Sequence, residues 1–123
     1  MEIRGEAEAS FIGDLNWSAE ALTNVVKNCI EHTPEGGRIE MHYSANPLYA
    51  EIIVSDDGEG IVSRDVPNIF NRFYRGENSG ESSIGIGLAL AKAIFIAQGG
   101  DISVRSERGL GTSFTIRLFR GVV

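Results

Sequence analysis

The chain has 123 residues and is 42% hydrophobic, enough for one domain with a sizeable core but not for a second independent one. Eleven basic residues against seventeen acidic give a net charge of −6, which argues against non-specific binding to nucleic acid or anionic membranes. One cysteine makes neither an internal disulfide nor a zinc site. With no apolar run near the roughly 20 residues of a membrane span and an acidic, mixed N-terminus, a reducing cytosol is the expected setting.

Fifteen glycines, about 12% against an average of about 7%, are the compositional oddity, and they sit at element ends rather than at a fixed period. Two short extended runs, 2–6 and 9–12, open the chain. Asp14 is an N-cap candidate for a helix to about residue 32, which Thr33-Pro34 stops. Within it Leu22, Val25, Val26, Cys29 and Ile30 form the expected core stripe, with Cys29 a small buried residue. Asn24, Asn28 and His32 recur one turn apart on a neighbouring face. Asparagine is a mediocre helix former. The pair fits either a solvated polar face or two carboxamide oxygens reaching a hard cation such as Mg²⁺, or a polar ligand.

Residues 38–44 and 50–55 read as strands joined by a loop at Asn46-Pro47. The second runs into Asp56-Asp57-Gly58-Glu59-Gly60-Ile61. A carboxylate at a strand end accepts hydrogen bonds from an exocyclic amine such as that of adenine, and glycines let a flat ring lie against backbone. A plain strand followed by a glycine-rich turn gives the same letters. A calcium loop does not fit, because the further oxygen ligands and terminal Glu are missing.

Residues 58–84 are polar and glycine-rich, with Pro67 and one short helical piece at 66–73, a length typical of a lid or binding loop. Gly85-Ile86-Gly87-Leu88-Ala89-Leu90-Ala91-Lys92 then opens a helix over 87–98. Amides at a helix start favour a phosphate, yet this is neither a P-loop nor a dinucleotide fingerprint. A helix cap with close packing on the sheet is the other reading. Strands at 101–106 and 112–119 flank a Glu107-Arg108-Gly109 turn. The sum is an α+β protein, helices on one face of a mostly antiparallel sheet.

Taken together, the segments from Asp14 to Phe119 resemble the ATP-binding catalytic domain of bacterial sensor histidine kinases, in the wider group shared with gyrase, Hsp90 and MutL. Asn24-x-x-x-Asn28 resembles the N box, Asp56-x-Gly58-x-Gly60 the G1 box, Ile69-Phe70-Asn71-Arg72-Phe73-Tyr74-Arg75 the F box and Gly85-x-Gly87-Leu88 the G2 box. Gly111-Thr112-Ser113-Phe114 resembles the last-strand signature. The resemblance implies a two-layer α/β sandwich (the Bergerat fold) with a mixed, mostly antiparallel sheet under about three helices. It implies one domain over 1–123, with a flexible ATP lid at about 61–84 that is poorly ordered around 76–83 without nucleotide.

The resemblance also implies roles. Asn28 coordinates Mg²⁺, and Asn24 supports the metal–phosphate end. Asp56 reads the adenine amino group, while Gly58 and Gly60 leave room for the base. Arg75 reaches the terminal phosphate, and the Gly85–Gly87 amides hold the triphosphate. Phe70, Phe73 and Tyr74 anchor the lid. His32, Ile61, Tyr74, Ile86, Leu88 and Thr112 complete the nucleotide-binding set; His42 has no role. The sequence departs from the family pattern in three places: Glu31 stands where a phosphate-touching Lys or Arg is common, Ala89 replaces a third glycine, and Asp57 replaces a neutral residue. With Glu31 there, either Lys27 or a lid arginine substitutes, or Glu31 turns away. Asp57 and Glu59 are expected to face water.

ATP-hydrolysing relatives carry a Glu where Asn24 stands; an asparagine cannot take the proton of an attacking water near neutral pH. The expected activity is therefore a protein-histidine kinase: Mg-ATP bound here, its γ-phosphate passed to a histidine on a separate helical dimerisation domain that is absent from this chain. The partners implied are that domain and a downstream response regulator. The domain itself is expected to be a monomer, and its parent a homodimeric bacterial inner- or plasma-membrane sensor. The competing readings are a stand-alone anti-sigma-factor-type serine kinase and a non-catalytic ATP-binding module, the latter favoured by Glu31.

Overall fold

The computed structural model describes residues 2–5, 15–61, 63, 65–71 and 87–119. Five strands form one sheet: β1 (Glu2–Gly5), β2 (Ile39–Ala45), β3 (Tyr49–Asp56), β4 (Asp101–Glu107) and β5 (Gly111–Phe119). Their order is β1-β2-β3-β5-β4. Among the described residues the β1–β2 pairing is parallel and the β2–β3, β3–β5 and β4–β5 pairings are antiparallel. Helices α1 (Leu15–His32) and α2 (Gly87–Ala97) pack on one face. The expected sheet and layer arrangement is present. Among the described residues there are two α-helices rather than about three, plus a single 3₁₀ turn at Val66–Asn68. The helical piece expected over 66–73 is that turn, with Pro67 in its first positions. The extended run at 9–12, the Asp14 cap and the segment around 76–83 lie outside the described residues.

Period-two alternation builds the core. Ile52, Ile116 and Ile102 stand side by side across β3, β5 and β4, and Val54, Phe114 and Val104 form the next row. Val54, Phe114, Ile116 and Ile102 are fully or almost fully buried. Burial of such a side chain contributes roughly 1.5–3 kcal/mol. One step further along, the inward row is Asp56, Thr112 and Ser106. The same face thus turns polar within one register step, at the end of the sheet where β4 and β5 are joined.

The core stripe of α1 is narrower than expected. Ala21, Val25 and Cys29 are fully buried and Ser18 nearly so, Leu22 and Val26 pack at the margin, and Ile30 is 57% exposed. The buried line follows the i, i+4 row through Ala21 and Cys29, and at 3.6 residues per turn Ile30 falls outside it. The α2 helix ends as composition suggests: Gly99 (φ +80°) takes the left-handed position, and Gly99 and Gly100 amides donate to the Ile96 and Phe95 carbonyls.

Candidate functional site

The polar row is closed over by the loop that follows β3. Asp56 is 8% exposed, and its Oδ1 accepts the Gly58 N–H at 2.9 Å. The Cys29 thiol on α1 neighbours the same carboxylate. Burial first, then the neighbouring Asp56 carboxylate, hold that thiol protonated well above the ordinary thiol range. The expectation of an inert, buried Cys29 holds.

The two glycines of this loop are required by the protein's own backbone. A Cβ on Gly58 would run into the His32 carbonyl oxygen at the end of α1. Gly60 has φ +76°, and a Cβ there would run into the Glu107 carbonyl oxygen. The backbone alone thus requires glycine at these two positions. Gly111 (φ +103°) is pressed in the same way against the Asp56 carbonyl oxygen. The loop is wedged between the last turn of α1 and the β4–β5 hairpin.

Hydrogen bonds fasten the wedge. Gly109 N–H donates to the Glu59 carbonyl at 2.7 Å. Ile61 N–H donates to Ser106 Oγ at 2.7 Å, and Ser106 Oγ also lies 2.9 Å from Thr112 Oγ1 and 3.1 Å from the Gly111 carbonyl. On the other side Asp57, though exposed, does not only face water: its Oδ1 accepts the Arg38 N–H at 2.7 Å. Glu59 is exposed, and its Oε1 is 4.0 Å from His32 Nδ1.

Along α1 the candidate residues run from this wedge to the start of α2. His32 is half-buried beside Gly58, Asn28 is half-buried one turn back, and Asn24 one turn further. A Cβ on Gly87 would lie 3.9 Å from both Cβ and Cγ of Asn24, so Asn24 faces the first residue of α2. Asn24, Gly87, Asn28, His32, Gly58 and Asp56 therefore follow one edge of the helical layer. Ile61 and Leu88 are half-buried against the core, and Thr112 is engaged by Ser106. Phe70 packs edge-on against Phe114 (centroids 6.3 Å apart, planes at 75°), and Lys92 Nζ sits 4.9 Å over its ring. His42, Lys27 and Glu31 are exposed. Phe73, Tyr74, Arg75, Gly85 and Ile86 lie outside the described residues.

Chemically, the edge offers a buried carboxylate at one end, carboxamides in the middle and a helix N-terminus at the other. That donor set suits a ligand with an amine at one end and a polyphosphate at the other, and the carboxamide oxygens suit a hard cation. Among the described residues no three His, Cys, Asp or Glu side chains cluster as a metal site. A cation held here would thus draw most of its ligands from water and phosphate.

Residues 13–121 match the family model of the histidine kinase-, DNA gyrase B- and HSP90-like ATPases. The chain belongs to that family. Within this ATPase family its relatives include sensor kinases. The heme sensor protein HssS of Staphylococcus saprophyticus is 39% identical over 97 residues, 79% of this chain and 21% of that protein. The sensor-like histidine kinase SenX3 of Mycobacterium bovis is 32% identical over 123 residues, 96% of this chain and 30% of that protein. Among solved structures, the mycobacterial sensor histidine kinase MprB superposes with a TM-score of 0.87 at 28% identity, over 97% of this chain and 82% of that one. The chain spans less than a third of the length of the curated relatives it matches. The family is one of ATP-binding domains.

Sequence reasoning missed Ser106. Its signal was present: Ile102, Val104 and Ser106 alternate inward, so the hairpin register puts a serine where the next core residue would stand.

Proposed function

We propose that this chain is the ATP-binding catalytic domain of a sensor histidine kinase, a single domain over residues 1–123 with its lid at about 61–84. The observation that carries the reading is the buried Asp56 carboxylate, fixed by Gly58 N–H at the end of an edge that reaches Asn24 and the start of α2. Asp56 accepts the adenine amino group, which favours ATP over GTP because guanine presents a carbonyl there. Asn28 offers its carboxamide oxygen to Mg²⁺, and Asn24 supports the phosphate end beside Gly87. Bound Mg²⁺ supplies charge neutralisation between the phosphates. Arg75 provides a guanidinium for the terminal phosphate, and the Gly85–Gly87 amides take the remaining oxygens. His32, Ile61, Tyr74, Ile86, Leu88 and Thr112 complete the surround.

Asn24 decides the reaction class. It cannot accept a proton from water, so the domain holds ATP for another nucleophile. In the transfer an acceptor imidazole nitrogen bonds to the γ-phosphorus, the bond to the ADP oxygen breaks, and a base beside the acceptor takes the imidazole proton. His42 projects from β2 into solvent and His32 lies against the Gly58 loop. The acceptor is assigned to a helical dimerisation domain of a larger, membrane-bound, homodimeric parent, with a response regulator downstream. Among the described residues no helix is long and apolar enough to cross a membrane.

Incubating this chain with Mg-ATP and a separately expressed two-helix acceptor segment of the parent tests the reading. The expected result is acid-labile phosphate on a histidine of that segment, with little ATP turnover by the chain alone. A fast, sustained hydrolysis by the chain alone would overturn the argument from Asn24.

A further inference from the structure

The β4–β5 hairpin meets the Asp56 loop at four places, and one side chain ties three of the strands and loops involved. Ser106 Oγ accepts from Ile61 N–H at 2.7 Å, points to the Gly111 carbonyl at 3.1 Å and lies 2.9 Å from Thr112 Oγ1. Thr112 is in register with Asp56 on β3 and with Ser106 on β4. The other three contacts are the Gly109–Glu59 hydrogen bond and the close approaches at Gly60 and Gly111. A hydroxyl in this position does what the apolar rows above it cannot: it satisfies a loop amide and a carbonyl at once.

We propose that Ser106 is a positioning residue for nucleotide binding, holding the 57–61 loop so that the Asp56 carboxylate keeps one fixed orientation. The inference rests on the reading of Asp56 as the adenine acceptor. Ser106 is assigned no contact with nucleotide. It acts through Ile61 on one side and through Thr112 on the other. Its loss leaves a half-buried amide without its partner at the point where the loop leaves Gly60, a change that costs more than the hydrogen bond itself.

The comparison that isolates this role is a second serine with the same chemistry elsewhere. Ser18 is 6% exposed, and its Oγ lies 3.0 and 3.2 Å from the amide of Gln98, at the opposite end of α1. The 123-residue chain and its variants Ser106→Ala, Ser106→Thr, Ser18→Ala and Asp56→Asn are titrated with Mg-ATP by calorimetry, and amide exchange is followed without nucleotide. Ser106→Ala is expected to weaken Mg-ATP about tenfold and to speed exchange of the Ile61 amide, with the Ile52 and Phe114 amides unchanged. Ser106→Thr, which keeps the hydroxyl, is expected to stay within about threefold of the parent chain. Ser18→Ala is expected to lower stability without moving affinity, and Asp56→Asn to remove most of it. Unchanged affinity in Ser106→Ala, or equal losses in Ser106→Ala and Ser18→Ala, would overturn the positioning role and leave the Asp56 reading intact. Unchanged affinity in Asp56→Asn would overturn the Asp56 reading, and this proposal with it.

Discussion

The two ends of α1 meet the rest of the molecule through different kinds of contact. At the start of the helix, Trp17 lies with Ala93, Ile94, Ala97 and Gln98 of the α2 end around an apolar groove of about 300 Å³. Side chains make that contact, and Trp17 is 57% exposed. At the other end, the His32 carbonyl, the Gly58 and Gly60 backbone, and the Asp56 and Glu107 carbonyls are pressed together with no Cβ between them. A side-chain interface can relax by changing rotamers. A backbone interface cannot, because the His32, Asp56 and Glu107 carbonyls on which the loop rests belong to α1, β3 and β4. The second end is therefore able to hold a buried carboxylate in one orientation, which recognition of a flat amine-bearing base requires.

Glycine substitutions break this comparison most directly. Gly111 and Gly109 both have positive φ, +103° and +86°. A Cβ at Gly111 would collide with the Asp56 carbonyl, whereas nothing lies within 4 Å of one at Gly109. Gly109→Ala is expected to cost about 1–2 kcal/mol, the left-handed conformation alone. Gly111→Ala is expected to cost at least about 3 kcal/mol and to lower the melting temperature by roughly 10 °C, since backbone must move. Equal losses in thermal unfolding would mean that the backbone packed against Gly111 yields at no cost beyond that of the left-handed conformation.

The same contrast explains what was legible in the sequence. Strands and helices followed from periodicity: the inward rows of β3, β4 and β5 and the Asn24–Asn28–His32 line on α1 are period-two and period-four patterns. The motifs singled out Asp56 and Asn24, while their place along one edge came only from the fold. Ile30 was misplaced because a stripe read as i, i+3, i+4 does not say how wide the cover is; only the packing of α2 and the sheet sets that. The reason for glycine at 58 and 60 was also hidden. A glycine spelled the same way accommodates a ligand or a neighbouring carbonyl, and the neighbours here come from His32 and Glu107, 26 and 47 residues away from Gly58 and Gly60. Ser106 escaped because its role depends on Ile61, 45 residues earlier.

The buried Cys29 sharpens the comparison through pH. Its thiol is held protonated by burial and by the Asp56 carboxylate, so its folded pKa is raised. The stabilising contribution is fully present below the ordinary thiol value of about 8.5 and is lost as pH rises above it, because the unfolded chain then releases a proton that the folded chain keeps. Stability should fall by up to about 1.4 kcal/mol per pH unit above that point from this one group. Denaturant unfolding at pH 8, 9 and 10 checks this. Cys29→Ala should flatten the slope, and the native chain should resist thiol reagents that react once it is unfolded. An unchanged slope in Cys29→Ala would mean that the fold does not hold this thiol protonated.

The smallest effect is expected at the groove. Trp17→Ala removes a large ring that is more than half exposed, so the loss should be about 1 kcal/mol, well below that of a fully buried aromatic. Affinity for Mg-ATP should stay within twofold, because nothing that fixes Asp56 or faces Gly87 is carried by this end of the helix. Calorimetry on Trp17→Ala alongside Gly111→Ala separates the two ends. Were Trp17→Ala to lower affinity as much as a change at the wedge, α1 would be transmitting a shift along its whole length, and its two ends would have to be treated as one rigid lever rather than as a soft contact and a fixed one.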